Sequence, residues 1–154
     1  MLNLDEFLPY RLSVLSNQIS QGIARTYEQR FGLSVTEWRV IAILGRFPGA
    51  SATEVAEKSA MDKVAVSRAV KRLLDAGRIQ RRDNDSDRRA KHLYLSPAGQ
   101  AVYDAIVPAA LDYEKRLLQI LTPNERRQLD GLIDQLLPAS EDELLPESSG
   151  SGLS

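Results

Sequence analysis

In the stretch KVAVSRAVKRLL, residues 63–74, five side chains carry groups suited to a polyanion: Lys63, Ser67, Arg68, Lys71 and Arg72. At about 100° per residue on a helix they span one half of the wheel. Ala65, Val66, Ala69, Val70 and Leu73 fall in an opposing arc of about 140°. The apolar side reads as a core face. The other side is basic, and small near its N-terminal end, as a helix lying in a DNA major groove requires. Ser67 and Arg68 are placed to reach base edges, where an arginine fork bonds guanine O6 and N7 together. Val64 breaks the pattern by lying in the basic arc; packing against a neighbouring segment is the favoured reading and contact with a thymine methyl the alternative. Leu74, the other apolar residue outside the core arc, is expected to meet the hairpin or the helix after it. A basic arc alone describes many solvated helix faces, so its neighbours decide its use.

Residues 78–96, directly after this helix, read RIQRRDNDSDRRAKHLYLS. RIQRR and KHLYLS alternate as strands do, on either side of DNDSDRR. They predict a two-stranded hairpin whose polar tip, rich in Asn, Asp and Ser, fits a mobile loop better than a tight two-residue turn. The charge is concentrated here. Residues 61–95 hold ten Lys and Arg against five Asp, and the rest of the chain ten against sixteen Asp and Glu, so a +5 segment sits inside a −6 frame. That asymmetry points to a local polyanion site on a chain of net charge −1.

The elements that must hold these groups are set by periodicity and capping. Residues 7–31 predict a first helix, with Leu8, Leu12, Leu15, Ile19 and Ile23 on one stripe and Gly32 as its stop. Ser34-x-x-Glu37 is a capping-box pattern opening a second, mostly buried helix through Val40, Ile41, Ile43 and Leu44, which FPGA ends. Ser51-x-x-Glu54 opens a short third helix to about Ser59, and the fourth runs from near Asp62 to Gly77. After the hairpin, Ser96-Pro97 starts a helix carrying Val102, Ile106, Ala110, Leu117 and Leu121, with Pro108 expected to kink or break it. Thr122-Pro123-Asn124-Glu125 starts the last, with Leu129, Leu132, Ile133 and Leu136 at helical spacing up to Pro138.

The order is α-α-α-α-β-β-α-α: mainly α, with a small β-hairpin wing. A short capped helix, a turn, the basic helix and a charged hairpin make a winged helix-turn-helix over residues 34–96. Arg88 or Arg89 at the tip would enter a minor groove, Asp87 would pair with a nearby arginine and fix its direction, and Asp83 and Asp85 would limit indiscriminate binding. Residues 1–33 and 97–138 are expected to form a helical dimerisation region, because their apolar stripes exceed what the winged domain needs and a two-fold partner is the commonest kind. Two copies would hold their recognition helices about one DNA turn, roughly 34 Å, apart. Residues 139–154, acidic and then Ser/Gly-rich, are expected to be disordered.

Composition closes off other classes. The 154 residues include no cysteine and one histidine, His92. Disulfides, thiol redox sensing, zinc-thiolate sites and cysteine nucleophiles are thereby excluded, and a multi-histidine metal site is out of reach. No carboxylate spacing marks a catalytic pair and no Gly-rich phosphate loop comes after a strand, so neither an enzyme nor a cofactor is expected. No apolar run approaches the 18 or so residues of a membrane span. MLNLDEFLPYRL lacks the basic-then-apolar layout of a signal peptide, which leaves the cytoplasm as the expected location.

The run from LSVTEWRVIAIL through SATEVAEKSAMDKVAVSRAVKRLLDAGRIQRRDNDSDRRAKHLYLSPAGQAV resembles the MarR family, the multiple-antibiotic-resistance type of regulator. Its most specific parts are Val66-Ser67-Arg68, Leu73-Leu74-x-x-Gly77, Asp87-x-Arg89, Leu93-x-Leu95-Ser96 and Gly99. The resemblance spans roughly residues 8–138, with Ser96 where threonine is usual. It implies a dimer reading a palindromic double-stranded operator, with Arg89 as the minor-groove arginine, Asp87 as its orienting acid, and Ser67 and Arg68 on bases or phosphates. It also implies DNA release when a small, often phenolic, effector binds between the dimerisation helices and the DNA-binding lobe. Tyr10, Arg11, Trp38 and Tyr103 are the candidates to line such a pocket, each with core or interface packing as the plainer role. The expected function is a sequence-specific transcriptional regulator, more often a repressor. The alternative is a winged-helix adaptor whose basic face binds an acidic protein, with salt-sensitive binding and no preferred DNA sequence.

Overall fold

The computed structural model describes residues 1–84 and 87–143, and the side chains of all of these except 84, 87–90, 142 and 143. A 3-10 turn, Leu4–Glu6, precedes α1 (Leu8–Ala24), α2 (Glu28–Phe31), α3 (Val35–Arg46), α4 (Ala52–Ser59) and α5 (Lys63–Asp75). An antiparallel hairpin comes next, β1 (Ile79–Asn84) and β2 (Asp87–Leu95), then α6 (Pro97–Leu118), α7 (Pro123–Pro138) and a π-helical turn, Ala139–Glu143. The chain divides into two compact units, Met1–Tyr113 and Glu114–Ser154.

The helix starts obey the capping chemistry. The amides of Glu37, Glu54 and Glu125 donate to the side chains of Ser34, Ser51 and Thr122, each at 3.1 Å. Only at Thr122 does the glutamate return the bond to the cap amide, at 2.9 Å, completing the box. At Ser34 the glutamate instead accepts from the serine hydroxyl at 3.0 Å.

In the first unit the core lies where α3, α4, α5 and β2 meet. Val40, Ile41, Leu44, Val55, Val66, Leu73, Ile79 and Leu93 are buried there, joined by Ala24 and Tyr27 and by Val102 and Ile106 of α6. The core thus draws on both flanking regions as well as on residues 34–96. Backbone bonds from Gly49 N to Leu93 O (2.8 Å) and from Leu93 N to Ala50 O (3.1 Å) tie the α3–α4 loop to β2.

Three local expectations are corrected. The helix expected over 7–31 breaks after Ala24, where the Thr26 hydroxyl bonds the Ile23 carbonyl at 2.7 Å and Tyr27 turns into the core. The chain resumes as α2, and Gly32, at φ 63°, ends it in the left-handed region that a Cβ disfavours. Pro108 lies inside α6 without the break that was one of its two expected effects; the missing amide removes one intrahelical bond, which the turns on either side outlast. In the hairpin, pairing continues past the expected strand ends to Asn84↔Asp87, with a register shift after Asp83, while residues 85 and 86 of the expected tip lie outside the described ones. The expected disorder of the tail concerns residues that, from 144 on, lie outside the described ones.

Candidate nucleic-acid interface

The helix-turn-helix turn is set by backbone conformation. Ala60 adopts φ 52°, reversing the chain after α4, and Asp62 then caps α5 by accepting from the Ala65 amide at 3.1 Å. Val66, Ala69, Val70 and Leu73 anchor α5 in the core. That rotation leaves Lys63, Ser67, Arg68, Lys71 and Arg72 exposed together on the far side. All five therefore share one accessible face, as their wheel positions require. Val64 is 57% exposed among them, which corrects the packing expectation and leaves an apolar contact point on the basic face. Leu74 packs against the core. Arg72 turns back toward α3, its Nη1 standing 4.0 Å from Glu37 Oε1.

The hairpin is bolted to α5 and α6 at one junction. The Ser96 hydroxyl donates to the Gly77 carbonyl at 2.6 Å and accepts from the Gly99 amide at 3.1 Å, while the Ser96 amide bonds the Arg78 carbonyl at 3.0 Å. Gly77, at φ 72°, ends α5 and turns the chain into β1. The register Arg81↔Leu93 and Arg82↔His92 sets two faces, since successive side chains along a strand point to opposite sides. On one face Arg81 and Lys91 border a hollow completed by Ala52, Val70 and Leu93, beside the start of α4 and the side of α5. On the other, the Arg82 guanidinium lies 4.6 Å from the centroid of the Tyr94 ring, and His92 Nδ1 donates to the Gly49 carbonyl at 2.8 Å.

Arg81 and Lys91 thus join the cationic surface next to α5, which hairpin parity alone could have shown. Arg78 is partly buried and its guanidinium donates to the Phe31 carbonyl at 2.7 Å, so one of the ten cations of the basic segment serves the fold. The side chains of Asp87, Arg88 and Arg89 lie outside the described residues.

The four candidate ligand residues divide between two places. Tyr10 and Arg11 border a groove with Asp5, Val14, Leu15 and Gln18. Trp38 borders a separate hollow with Ser20, Ile23, Tyr27, Val35 and Arg39, where Arg39 Nη2 bonds the Ser20 hydroxyl at 2.8 Å. The Trp38 ring packs against two tyrosines, Tyr103 at 6.2 Å and Tyr27 at 5.8 Å between centroids. Burial, reinforced by the Glu28 charge and opposed by Arg39, pushes the Tyr27 phenol up to about 12. Sequence reasoning did not single out Ser20 or Arg39, whose pairing joins residues 19 apart along the chain.

Comparison with known proteins agrees with this geometry. A family model described as MarR family matches residues 31–90, from α2 to the hairpin. The HTH-type transcriptional regulator BilQ of Clostridium symbiosum is 28% identical over 108 residues, covering 70% of this chain and 75% of its own. An HTH-type transcriptional repressor of Mycobacterium tuberculosis is 27% identical over 134 residues, covering 84% and 91%. Among solved structures, a MarR/EmrR family transcriptional regulator from Acinetobacter sp. ADP1 superposes with a TM-score of 0.81 at 29% identity, over 90% of this chain and 98% of its own. Residues 31–90 of the chain thus match the MarR family, and over nine tenths of its length the chain shares the fold of a MarR/EmrR family transcriptional regulator.

Proposed function

We propose that this DNA-binding regulator is a cytoplasmic homodimer that reads a palindromic operator and represses transcription from it. The observation that carries the reading is the exposed row Lys63, Ser67, Arg68, Lys71 and Arg72 on a helix whose opposite face is locked in the core. Lys63, Lys71 and Arg72 position the helix on phosphates, and Ser67 and Arg68, in its first half, reach base edges. Val64 offers its methyls to a thymine. Arg81 and Lys91 extend the phosphate contact from α5 onto the hairpin. Arg89, aimed by Asp87, enters the adjacent minor groove, with Arg88 on the flanking backbone; this part rests on the family resemblance.

Dimerisation is supported by apolar surface that each unit leaves open. Leu8, Leu12 and Leu15 are exposed along α1, and Leu129, Leu132, Ile133 and Leu136 along α7. Such stripes in a chain with no helix long and apolar enough to cross a membrane, among the described residues, suit a second copy. A small effector is supported by the hollow at Trp38, which offers an aromatic wall, the Ser20 hydroxyl and the Arg39 guanidinium. The test is Arg68→Ala on a duplex recovered by selection. It should lose about 1–3 kcal/mol and relax the preference at one position per half-site. Full affinity with unchanged preference would contradict the assignment of α5.

A further inference from the structure

Arg72 is the last cation of the α5 face, and it has a competing anion behind it. Its side chain is 70% exposed, whereas the Glu37 side chain that it meets at 4.0 Å is only 12% exposed. Glu37 stands in the first turn of α3, and its Oε1, the atom facing Arg72, also accepts from the Ser34 hydroxyl at 3.0 Å. The carboxylate is therefore pinned by its own helix cap and largely withdrawn from water, while the arginine remains solvated. At 4.0 Å the pair is loose, and its arginine stands in solvent, where an ion pair is worth little. A DNA phosphate and Glu37 are alternative partners for one guanidinium.

We propose that Glu37 is a positioning residue for DNA binding, which holds Arg72 against α3 and so lowers sequence-independent affinity. Arg72 is released to a phosphate only where the docked geometry brings one closer than the carboxylate. The inference rests on α5 being the DNA-facing helix. It makes discrimination at this contact a matter of competition between two anions, in addition to base readout.

The experiment measures the full chain on a mixed-sequence duplex across a salt series, for wild type, Glu37→Gln, Arg72→Ala and the double variant. Glutamine keeps an acceptor oxygen for Ser34, and thermal unfolding of each variant confirms that the fold persists. Glu37→Gln should bind roughly threefold more tightly, with the log-affinity slope against log salt steeper by about 0.9, the value of one additional phosphate contact. In the Arg72→Ala background the same substitution should change neither quantity. Glu37→Asp, which withdraws the charge from Arg72, should move in the same direction as glutamine by less. An unchanged slope in Glu37→Gln alongside a flattened one in Arg72→Ala would overturn the role of Glu37 while leaving the DNA face of α5 intact. An equal gain with Arg72 absent would overturn it too, by showing a general charge effect. If Arg68→Ala, Lys71→Ala and Arg72→Ala all bind as wild type does, the DNA-face assignment falls and the proposal falls with it.

Discussion

Gly99→Ala should loosen the joint between the wing and α6. A Cβ at Gly99 would run into the Arg78 carbonyl oxygen, with the Arg78 carbonyl carbon only 3.0 Å away. Both atoms are backbone, and the same carbonyl already accepts from the Ser96 amide, so neither can swing aside as a side chain would. Relief requires β1 and the start of α6 to part, which strains the Ser96 hydroxyl bonds to Gly77 and Gly99. Overpacking of this kind costs about 1–3 kcal/mol, and a rigid backbone obstacle puts the cost at the upper end. Alanine returns something less than about 1 kcal/mol in helix propensity in the first turn of α6. The net loss is about 2 kcal/mol, or a fall in Tm of roughly 4–8 °C for a chain of this size. Denaturant unfolding and differential scanning calorimetry of the purified variant read both quantities. A Tm within about a degree of wild type would refute the reasoning, because it would show that hairpin and helix are free to separate at that point.

The same structure and the family resemblance set four other outcomes. Arg89→Ala should weaken specific DNA binding by at least ~1 kcal/mol without changing thermal stability, and unchanged affinity would remove the wing from the interface. A chain ending at Leu121 lacks α7 with its exposed Leu129, Leu132, Ile133 and Leu136, and sedimentation should find monomers or aggregates; a stable dimer would make α7 dispensable. The raised Tyr27 phenol contributes stability that is complete below its ordinary value of 10.0 and is lost as pH climbs through about 12. Tyr27→Phe should therefore flatten the fall in Tm over that alkaline window, and a curve parallel to wild type would contradict the burial of the phenol. The Glu125 carboxyl is held below its ordinary value first by the Thr122 amide and then by the Thr122 hydroxyl; Thr122→Ala removes only the hydroxyl, so an NMR titration should show the carboxyl return part of the way upward, and an unmoved value would leave the amide as the sole cause.

Much of the interface was legible because α5 is specified locally. Its apolar positions keep a helical period, Asp62 supplies the cap, and Gly77 supplies the left-handed stop, so the buried set and the exposed basic set both come from the chain itself. The break after Ala24 was hidden by the same logic. Tyr27 continues the four-residue step of Ile19 and Ile23, and only its ring packing on Trp38 reveals that the backbone has turned there. Arg78 looked like one more interface cation, yet it binds a carbonyl 47 residues away, a pairing that no local pattern encodes. The separation of Tyr10 and Arg11 from Trp38 and Tyr103 is likewise tertiary: residue type suggested a pocket, and helix packing assigned the four to different surroundings. The hairpin went the other way. Its Asn and Asp content favoured a loop, while cross-strand pairing carried the strands on to Asn84 and Asp87.

Selection of binding sites from random duplex DNA by the purified full chain tests the central claim most directly. Two α5 helices related by a two-fold axis predict an enriched inverted repeat with half-sites about one helical turn, roughly 34 Å, apart. The affinity of the winning duplex should fall with salt by the slope of several released counterions. Absence of any enriched sequence, with weak binding governed by salt alone, would contradict sequence-specific reading by this face and leave an adaptor for an acidic protein partner as the better description.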